Sequence, residues 1–366
     1  MHIGIDARLL YYSAGGISRY IRALITALAQ IDHEDSFTIF QYRKEQASPD
    51  WGHNFRRRLL WTPPHHPWER WTLPWEMVTS PLDVIHSPDF IPPFYSRGKR
   101  VITVHDLAFL RFPQLLTPAS RRYYQQIHWA VKRAHGIAAV SEATRQDMVE
   151  LLGVPPERIQ VIYHAVDDYF HPVVMEKKEA FRLRHHLPER FILWVGVIEP
   201  RKNLDTLLRA LAWLRQEGHR YSLVVVGSPG WLYQGTFRLI EELEMREDVV
   251  LFGSASLEEL LFLYNCAWLF IFPSLYEGFG FPPLEAMACG TPVISSNTPS
   301  LVEVLGEAPI YFSPQDVSGL AQAILQVDGD AQLRKNMGRR GRERALRYSW
   351  RRTAEETLSL YRRVLA

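Results

Sequence analysis

Residues 271–296 read IFPSLYEGFGFPPLEAMACGTPVISS. Ile271 and Phe272 close an apolar run that begins at Ala267, the pattern of a buried strand. Ser274 to Phe281 then holds Gly278 and Gly280, which allow a backbone to approach a ligand closely. Pro282 and Pro283 suit the first turn of a helix, whose N–H groups have no intrahelical partner. The spacing therefore predicts a helix over Leu284 to Cys289 that stops at Gly290, followed by a strand over Thr291 to Ser295. Two carboxylates, Glu277 and Glu285, lie in this corner with seven residues between them. Backbone N–H groups at a helix start favour phosphate, and carboxylates accept hydrogen bonds from hydroxyls. Together they suggest a ligand with an anionic part and a polyol part, as in a nucleotide-sugar. Two solvated glutamates on a Gly-rich loop are the plainer alternative.

The stretch EGFGFPPLEAMACGTPVI resembles the signature of the retaining glycosyltransferases of family four, also called glycosyltransferase group 1. The resemblance implies that Glu277 contacts the donor sugar and Glu285 the nucleotide ribose. It also implies that Gly278, Phe279, Gly280 and Phe281 make close contacts to the donor. The fold it implies is α/β of the GT-B type, two Rossmann-like domains with parallel sheets facing an interdomain cleft.

Composition is compatible with that reading. A chain of 366 residues exceeds one ordinary core, so two domains of roughly 150 to 200 residues are expected. The formal charge of +2 does not call for a polyanionic partner, and 47% hydrophobic with 22% charged residues is ordinary for globular domains. The longest nearly apolar run, Leu260 to Phe272, is shorter than the roughly 20 residues that span a bilayer. Ala27-Leu28-Ala29 mimics a signal-peptidase site, but Asp6, Arg8, Arg19 and Arg22 interrupt the apolar segment before it, so no signal peptide is expected. Cys266 and Cys289 are the only cysteines, too few for a disulfide framework and suited to a reducing cytoplasm.

In the first half, His2 to Ile5 reads as a strand, and Ile17, Ile21, Leu24, Ile25 and Leu28 recur at helical spacing. Ala14-Gly15-Gly16 joins them. A glycine turn between a strand and a helix start can approach phosphate, and GGISRY resembles the family's first glycine loop, which implies that Gly15 and Gly16 face the donor diphosphate. Trp51 to Glu76 is dense in Trp, Arg, His and Pro with poor periodicity, and is expected to be a long connecting region. Its Trp and Arg suit either a membrane interface or an acceptor cradle; a surface loop anchored by buried tryptophans is the bland reading. Asp83 to His86 and Val101 to Val104 are strand patterns, the second ending in His105-Asp106. Ligands bind beyond the carboxyl ends of such strands, and the family's HD pair implies that His105 lies against the donor sugar. Pro118 to Ala134 reads as a helix, Ile137 to Val140 as a strand, Ser141-Glu142 as a cap for the helix at Ala143 to Leu152, and Val161 to Tyr163 as a strand. His164 to Val174 lacks periodicity and is the candidate linker.

The second half restarts the alternation. Phe191 to Val197 is a strand pattern, followed by Ile198-Glu199-Pro200-Arg201-Lys202-Asn203 and a helix from Leu204 to Gln216. Two adjacent cations at a strand-to-helix turn suit a diphosphate leaving group, whose charge grows as the sugar bond breaks. The resemblance supports Arg201 and Lys202 in this role, with Val197 standing where many members carry an Arg. Ser222 to Val226 and Val249 to Phe252 are further strands, and in relatives the loop at Ser254 touches the nucleotide base. Glu258 to Ala267 and Gln315 to Val327 are helical. Asp328-Gly329-Asp330 has the form of a metal-holding triplet but lies between two helical patterns, where Gly makes the turn and Asp330 caps the next helix. His65-His66 and His185-His186 lack convergent spacing, so no metal site is expected. On the final helix, Thr353, Thr357, Leu358, Tyr361 and Leu365 share one face, which resembles the family's terminal helix returning to the first domain.

These readings place an N-terminal domain at residues 1–172, joined by residues 350–366, and a nucleotide-sugar-binding domain at 173–349. The expected function is a metal-independent retaining transfer of a sugar, from GDP-mannose above other donors, to a glycan or lipid-linked acceptor. His105, Glu277, Arg201 and Lys202 would act at the reaction centre. No cofactor and no nucleic-acid partner are expected, and the location is the cytoplasm with peripheral contact at the inner membrane face. UDP- or dTDP-sugar donors, an epimerase or hydrolase of the same fold, and a non-catalytic nucleotide-sugar sensor stay open.

Overall fold

The computed structural model describes the chain apart from Ser13, Ala14, Ser48 and Phe94 and the side chain of Arg70. Ala14, in the expected glycine turn, thus lies outside the described residues. The chain divides into two compact units, Met1–Ala165 with Ser349–Ala366, and Val166–Tyr348. The division falls seven residues earlier than the expected break after Pro172. Asn265 is the cause. Its Nδ2 donates to the His171 carbonyl at 2.9 Å and its Oδ1 accepts from Val173 N at 2.8 Å, while Phe170 packs edge-to-face on Tyr264 at 5.7 Å. These contacts tie the segment to the second unit.

The first unit holds β1 (His2–Asp6), β2 (Ser36–Tyr42), β3 (Phe55–Leu60), β4 (Val84–Ser87), β5 (Lys99–Val104), β6 (Gly136–Ala139) and β7 (Ile159–Val161). All seven are parallel in the order β3-β2-β1-β4-β5-β6-β7. The inner strands β1, β4 and β6 are buried on both faces, as in a parallel sheet covered by helices on each side. Val101 and Ala138 join the core under the helices Gly16–Ile31 and Trp350–Leu365, whereas Ile102, Val104, Ile137 and Ala139 join the opposite core, the period-two alternation of a strand. The terminal helix sits directly on β6, since a Cβ added at Gly136 would meet Val364 at 2.8 Å and Leu360 at 3.0 Å. Thr353, Thr357, Leu358 and Tyr361 are buried on that helix, but Leu365 at its end is exposed.

Two expectations are corrected here. Trp51 to Glu76 is not merely a connection, because it contains β3 and the helix Glu69–Met77. Arg56 to Arg58 hide the strand pattern; as a sheet-edge strand β3 pairs along its length with β2, and Arg58 Nη2 donates to the Glu76 carbonyl at 2.6 Å. The helix expected over Pro118 to Ala134 is two, Pro118–Tyr124 and Ile127–Arg133.

The second unit holds β8 (Phe191–Val195), β9 (Ser222–Val226), β10 (Val249–Gly253), β11 (Leu269–Phe272), β12 (Val293–Ser296) and β13 (Ile310–Phe312). These six are parallel in the order β10-β9-β8-β11-β12-β13. In each sheet the chain winds outward in both directions from a central pair, β1/β4 and β8/β11. The connections leaving such a pair part to opposite sides, and the crevice between them is where α/β sheets bind ligands.

Buried polar side chains knit the first unit. His86, 1% exposed, has Nδ1 2.6 Å from the Tyr361 hydroxyl and Nε2 2.8 Å from Thr103 Oγ1. Burial, with His105 nearby, lowers its pKa to about 3. Between that value and the roughly 6.5 of an unfolded His, the unfolded chain binds the extra proton, so His86 is nearly without effect at neutral pH and destabilises the fold progressively as pH falls below about 6.5. Lowering pH from 7 to 5.5 should cost about 1 kcal/mol through His86. Urea unfolding at the two pH values measures it, and His86→Gln should reduce the difference. An equal difference in that variant would contradict the assignment.

Candidate functional site

The loops leaving β8 and β11 are locked together at the central pair of the second sheet. After β8 the chain makes a 3-10 turn at Pro200–Lys202 and enters the helix Leu204–Gln216 through Asn203, whose φ of 55° is left-handed. Asn tolerates that conformation better than most residues. Its Nδ2 donates to the carbonyls of Pro273 at 2.8 Å and Pro314 at 2.6 Å, so one side chain fastens the first loop to the second. Leu275 N donates to the Arg201 carbonyl at 2.9 Å, completing the join.

Four ionisable groups meet there. Lys202 Nζ donates to Glu277 Oε1 at 2.6 Å, and Arg201 Nη1 lies 3.4 Å from Glu277 Oε2 and donates to the Tyr276 carbonyl at 2.9 Å. Arg201 Nη2 pairs with Glu199 Oε1 at 2.8 Å. Ser274 Oγ donates to Glu277 Oε1 at 2.6 Å, and Ser300 Oγ to the Glu277 carbonyl at 2.6 Å. Burial pushes the Glu277 carboxyl up, but Lys202 and Arg201 outweigh it and hold the group below its usual value. Burial likewise pulls the Lys202 ammonium down, against the attraction of Glu277, and raises the Glu199 carboxyl. Two cations are thus presented in a low-dielectric crevice, neutralised by two carboxylates that an incoming anion would displace.

The Gly-rich loop continues from this cluster. Gly280 caps the helix Phe281–Ala288 with φ 94°, and a Cβ there would sit 2.5 Å from Leu301 Cδ2, so this position requires glycine twice over. The helix starts at Phe281, before the expected Leu284, because Pro282 and Pro283 fill its first turn. Gly278 and Phe279 are buried, with the Phe279 ring edge-on to Tyr348 at 5.7 Å. Phe281 is partly exposed. Glu285 is on the helix but 1% exposed, and its Oε2 accepts from the Tyr264 hydroxyl at 2.8 Å. The structure therefore does not add Glu285 to the Glu277 cluster. Ser254 follows β10 on the same sheet edge, its hydroxyl 2.7 Å from that of Ser228. Two strand spacings, about 10 Å, separate the ends of β8 and β10. A diphosphate at the first and a base at the second would fit a nucleotide.

The remaining expected residues lie in the first unit. Gly15 is the N-cap of the helix Gly16–Ile31, extended at φ −97°, and both glycines are exposed. His105 follows β5 and is partly buried. Its Nε2 donates to the Pro88 carbonyl at 2.7 Å, which leaves Nδ1 to accept from His164 Nε2 at 3.2 Å. Burial lowers its pKa, so it is held neutral. Tyr20, from the helix that Gly15 caps, meets the His105 ring at 5.0 Å. Glu199, Asn203, Ser274 and Ser300 had no assigned role in the sequence reading. The first two stand beside Arg201 and Lys202, and that adjacency was the available signal; the serines carry none. Among the described residues no three His, Cys, Asp or Glu side chains gather as metal ligands. Asp328 instead accepts from the Tyr221 hydroxyl at 2.7 Å, and Asp330 caps the next helix at Leu333 N, 2.8 Å.

Known proteins resemble this chain in both of its halves. Residues 175–344 match the family described as glycosyl transferases group 1, and residues 14–170 match Glycosyltransferase Family 4. The chain is 32% identical over 280 residues to O-antigen chain mannosyltransferase B of Escherichia coli, covering 76% of this chain and 73% of that protein. It is also 32% identical over 291 residues to the serotype-specific mannosyltransferase WbdA of Escherichia coli, but spans only 36% of that protein's length. Sucrose-phosphate synthase of Thermosynechococcus elongatus shares the fold, with a TM-score of 0.81 and 23% identity over 99% of this chain and 98% of that one. The two family models between them cover nearly the whole chain, and with a 32% identical relative matched over most of its length they show that this chain belongs to the group 1 glycosyltransferases, glycosyltransferase family 4.

Proposed function

We propose that the protein transfers mannose from GDP-mannose to a glycan or lipid-linked acceptor, with retention of configuration and without a metal ion. The observation that carries this reading is the Arg201–Lys202–Glu277 cluster at the β8/β11 crevice. On donor binding the diphosphate takes over Arg201 and Lys202, and Glu277, released from them, accepts hydrogen bonds from the sugar hydroxyls. The cations are already oriented, so they stabilise charge on the departing phosphate without reorganisation. Fixed cations supply what a bound divalent ion would otherwise supply, which supports metal independence. Glu285 is assigned to the ribose, Ser254 to the side of the base, Gly278 to Phe281 to backbone contact with the donor, and Gly15, Gly16 and His105 to the diphosphate and sugar. The mannosyl donor is inferred from the two mannosyltransferase relatives.

Two free cysteines suit a reducing compartment, and we place the enzyme in the cytoplasm. No helix among the described residues is long and apolar enough to cross a membrane. Peripheral contact is supported by Trp68, Trp71, Trp75 and Val78, which recur at helical spacing and are 64, 44, 82 and 50% exposed. Both carboxylates of that helix turn away from this face. Glu69 is 2% exposed and bonded to Arg8, and Glu76 accepts from Thr62 N at 3.0 Å. An aromatic stripe free of acids suits the headgroup region of an anionic bilayer.

Purified protein should consume GDP-mannose in preference to UDP- and dTDP-sugars, give an α-linked product by NMR, and lose about 10²- to 10³-fold in turnover per cation in Arg201→Ala and Lys202→Ala. Unchanged turnover in both variants would remove the diphosphate role, and donor consumption independent of any acceptor would favour a hydrolase. EDTA should leave the rate unchanged; restoration by Mn²⁺ after loss would refute metal independence. The protein should sediment with phosphatidylglycerol vesicles more than with phosphatidylcholine ones, and Trp71→Ser with Trp75→Ser should abolish this. Equal sedimentation of the variant would contradict the membrane contact.

A further inference from the structure

Two histidines meet at the carboxyl ends of strands in the first sheet. His105 follows β5, and His164 lies just past β7. His164 is 1% exposed and Tyr20 2%. The Tyr20 ring packs on both, its centroid 5.0 Å from that of His105 at 76° and 4.3 Å from that of His164 at 34°. Trp350, at the start of the terminal helix, stacks on His164 at 5.9 Å and 25°. The Tyr20 hydroxyl is paired with Thr103 Oγ1 at 3.1 Å, so the histidines face its ring. Asp106, the neighbour of His105 in the chain, turns to the segment that follows, where its Oδ1 accepts from Ala108 N at 2.9 Å. The group that meets His105 Nδ1 is His164, 59 positions away.

The donors and acceptors in this pair are fixed by elementary chemistry. A carbonyl only accepts, so the Nε2 of His105 that lies 2.7 Å from the Pro88 oxygen carries a hydrogen. Burial holds both rings neutral, and a neutral imidazole has a single N–H. His105 Nδ1 is then an acceptor, and His164 Nε2, 3.2 Å away, is the donor. In a histidine, the hydrogen bond made by one nitrogen decides which form the other takes. The opposite tautomer of His105 would set a bare Nε2 against the Pro88 oxygen and an N–H against the N–H of His164.

We propose that His164 is a positioning residue of the reaction: its Nε2–H fixes His105 in the tautomer with hydrogen on Nε2, so that His105 meets the sugar as a hydrogen-bond donor and not as a base. The inference rests on the reading that places His105 against the donor sugar. An arriving sugar hydroxyl takes the Nε2–H from the Pro88 carbonyl through its oxygen and can return a hydrogen bond to that carbonyl, because a hydroxyl both donates and accepts. The bond from His164 stays in place through this exchange and keeps the hydrogen of His105 on Nε2.

The competing account is that His164 only fills space against Tyr20 and Trp350. Two substitutions separate the accounts. His164→Phe keeps an aromatic ring at that place but donates nothing, whereas His164→Gln gives up the ring and keeps an amide N–H. The test joins long-range proton–nitrogen correlation NMR on protein labelled at histidine nitrogen, steady-state turnover of nucleotide-sugar, and urea unfolding. The His105 signals are those missing from His105→Gln. Wild type and His164→Gln should carry the His105 hydrogen on Nε2, and His164→Phe should populate both tautomers. Turnover in His164→Phe should fall roughly three- to ten-fold, the loss of one neutral hydrogen bond, and recover in His164→Gln whatever the order of the two variants in urea. Hydrogen on Nδ1 of His105 in wild type, a wild-type tautomer kept in His164→Phe, or turnover that follows stability in urea and not the tautomer would overturn the proposal. The first of these is read on wild type and needs no variant to fold. Wild type that shows the stated tautomer and its response to His164 yet never consumes a nucleotide-sugar would refute the transferase reading; full turnover with a tautomer indifferent to His164 would refute this inference alone.

Discussion

The second unit depends on holding the Glu277 carboxylate, together with Lys202 and Arg201, in a crevice that water barely reaches. Taking these charges out of water is expensive, and the cost is offset only because each has partners in good geometry. The partners come from two loops that are adjacent because β8 and β11 are adjacent. Asn203 and Leu275 hold the loops in register, Gly280 turns the second loop into its helix, Ser274 donates to the Glu277 carboxylate, and Ser300 donates to the Glu277 backbone carbonyl. Sheet order, loop conformation and electrostatics are thus one constraint expressed at three levels. A site built this way is charged but neutral overall, and an anionic ligand with hydroxyls can enter by exchanging partners without exposing an unpaired charge.

The first unit repeats the winding with different chemistry at its central pair. Where β8/β11 presents two cations, β1/β4 presents carboxylates, one anchored arginine and an unsatisfied serine. Behind it, neutral histidines and tyrosines are packed in the interior. His86 is joined to Tyr361 and Thr103, His105 to His164 and Pro88. The terminal helix contributes Tyr361 to this network and so belongs to the first unit although it follows the second in the chain.

The corner at 271–296 was legible because its signals are local. Glycine beside a double proline marks a strand-to-helix turn, and two carboxylates at a fixed interval are visible without knowing the fold. The alternation of strands and helices was legible for the same reason wherever strands are apolar throughout, as in Phe191 to Val195. It failed at β3, where Arg56 to Arg58 stand on a sheet edge and only backbone pairing reveals the strand. It also misplaced the division near Pro172, since the residues before it are held by Asn265, more than 90 positions away. The polar cluster of Asp6, Arg8, Glu69, Ser87 and Tyr123 could not be read at all, because its members are scattered along the chain and only the order β1-β4 brings them together. Glu285 shows the converse: its interval from Glu277 is visible in the sequence, while its burial against Tyr264 is a matter of packing.

The account's central claim is that the Arg201–Lys202–Glu277 cluster is the donor site. A crystal structure of the protein soaked with GDP-mannose tests it most directly. The account predicts diphosphate oxygens within hydrogen-bond distance of Arg201 and Lys202, with mannose hydroxyls on Glu277 and the Lys202–Glu277 contact opened. Nucleotide density elsewhere, with that contact intact, would contradict it.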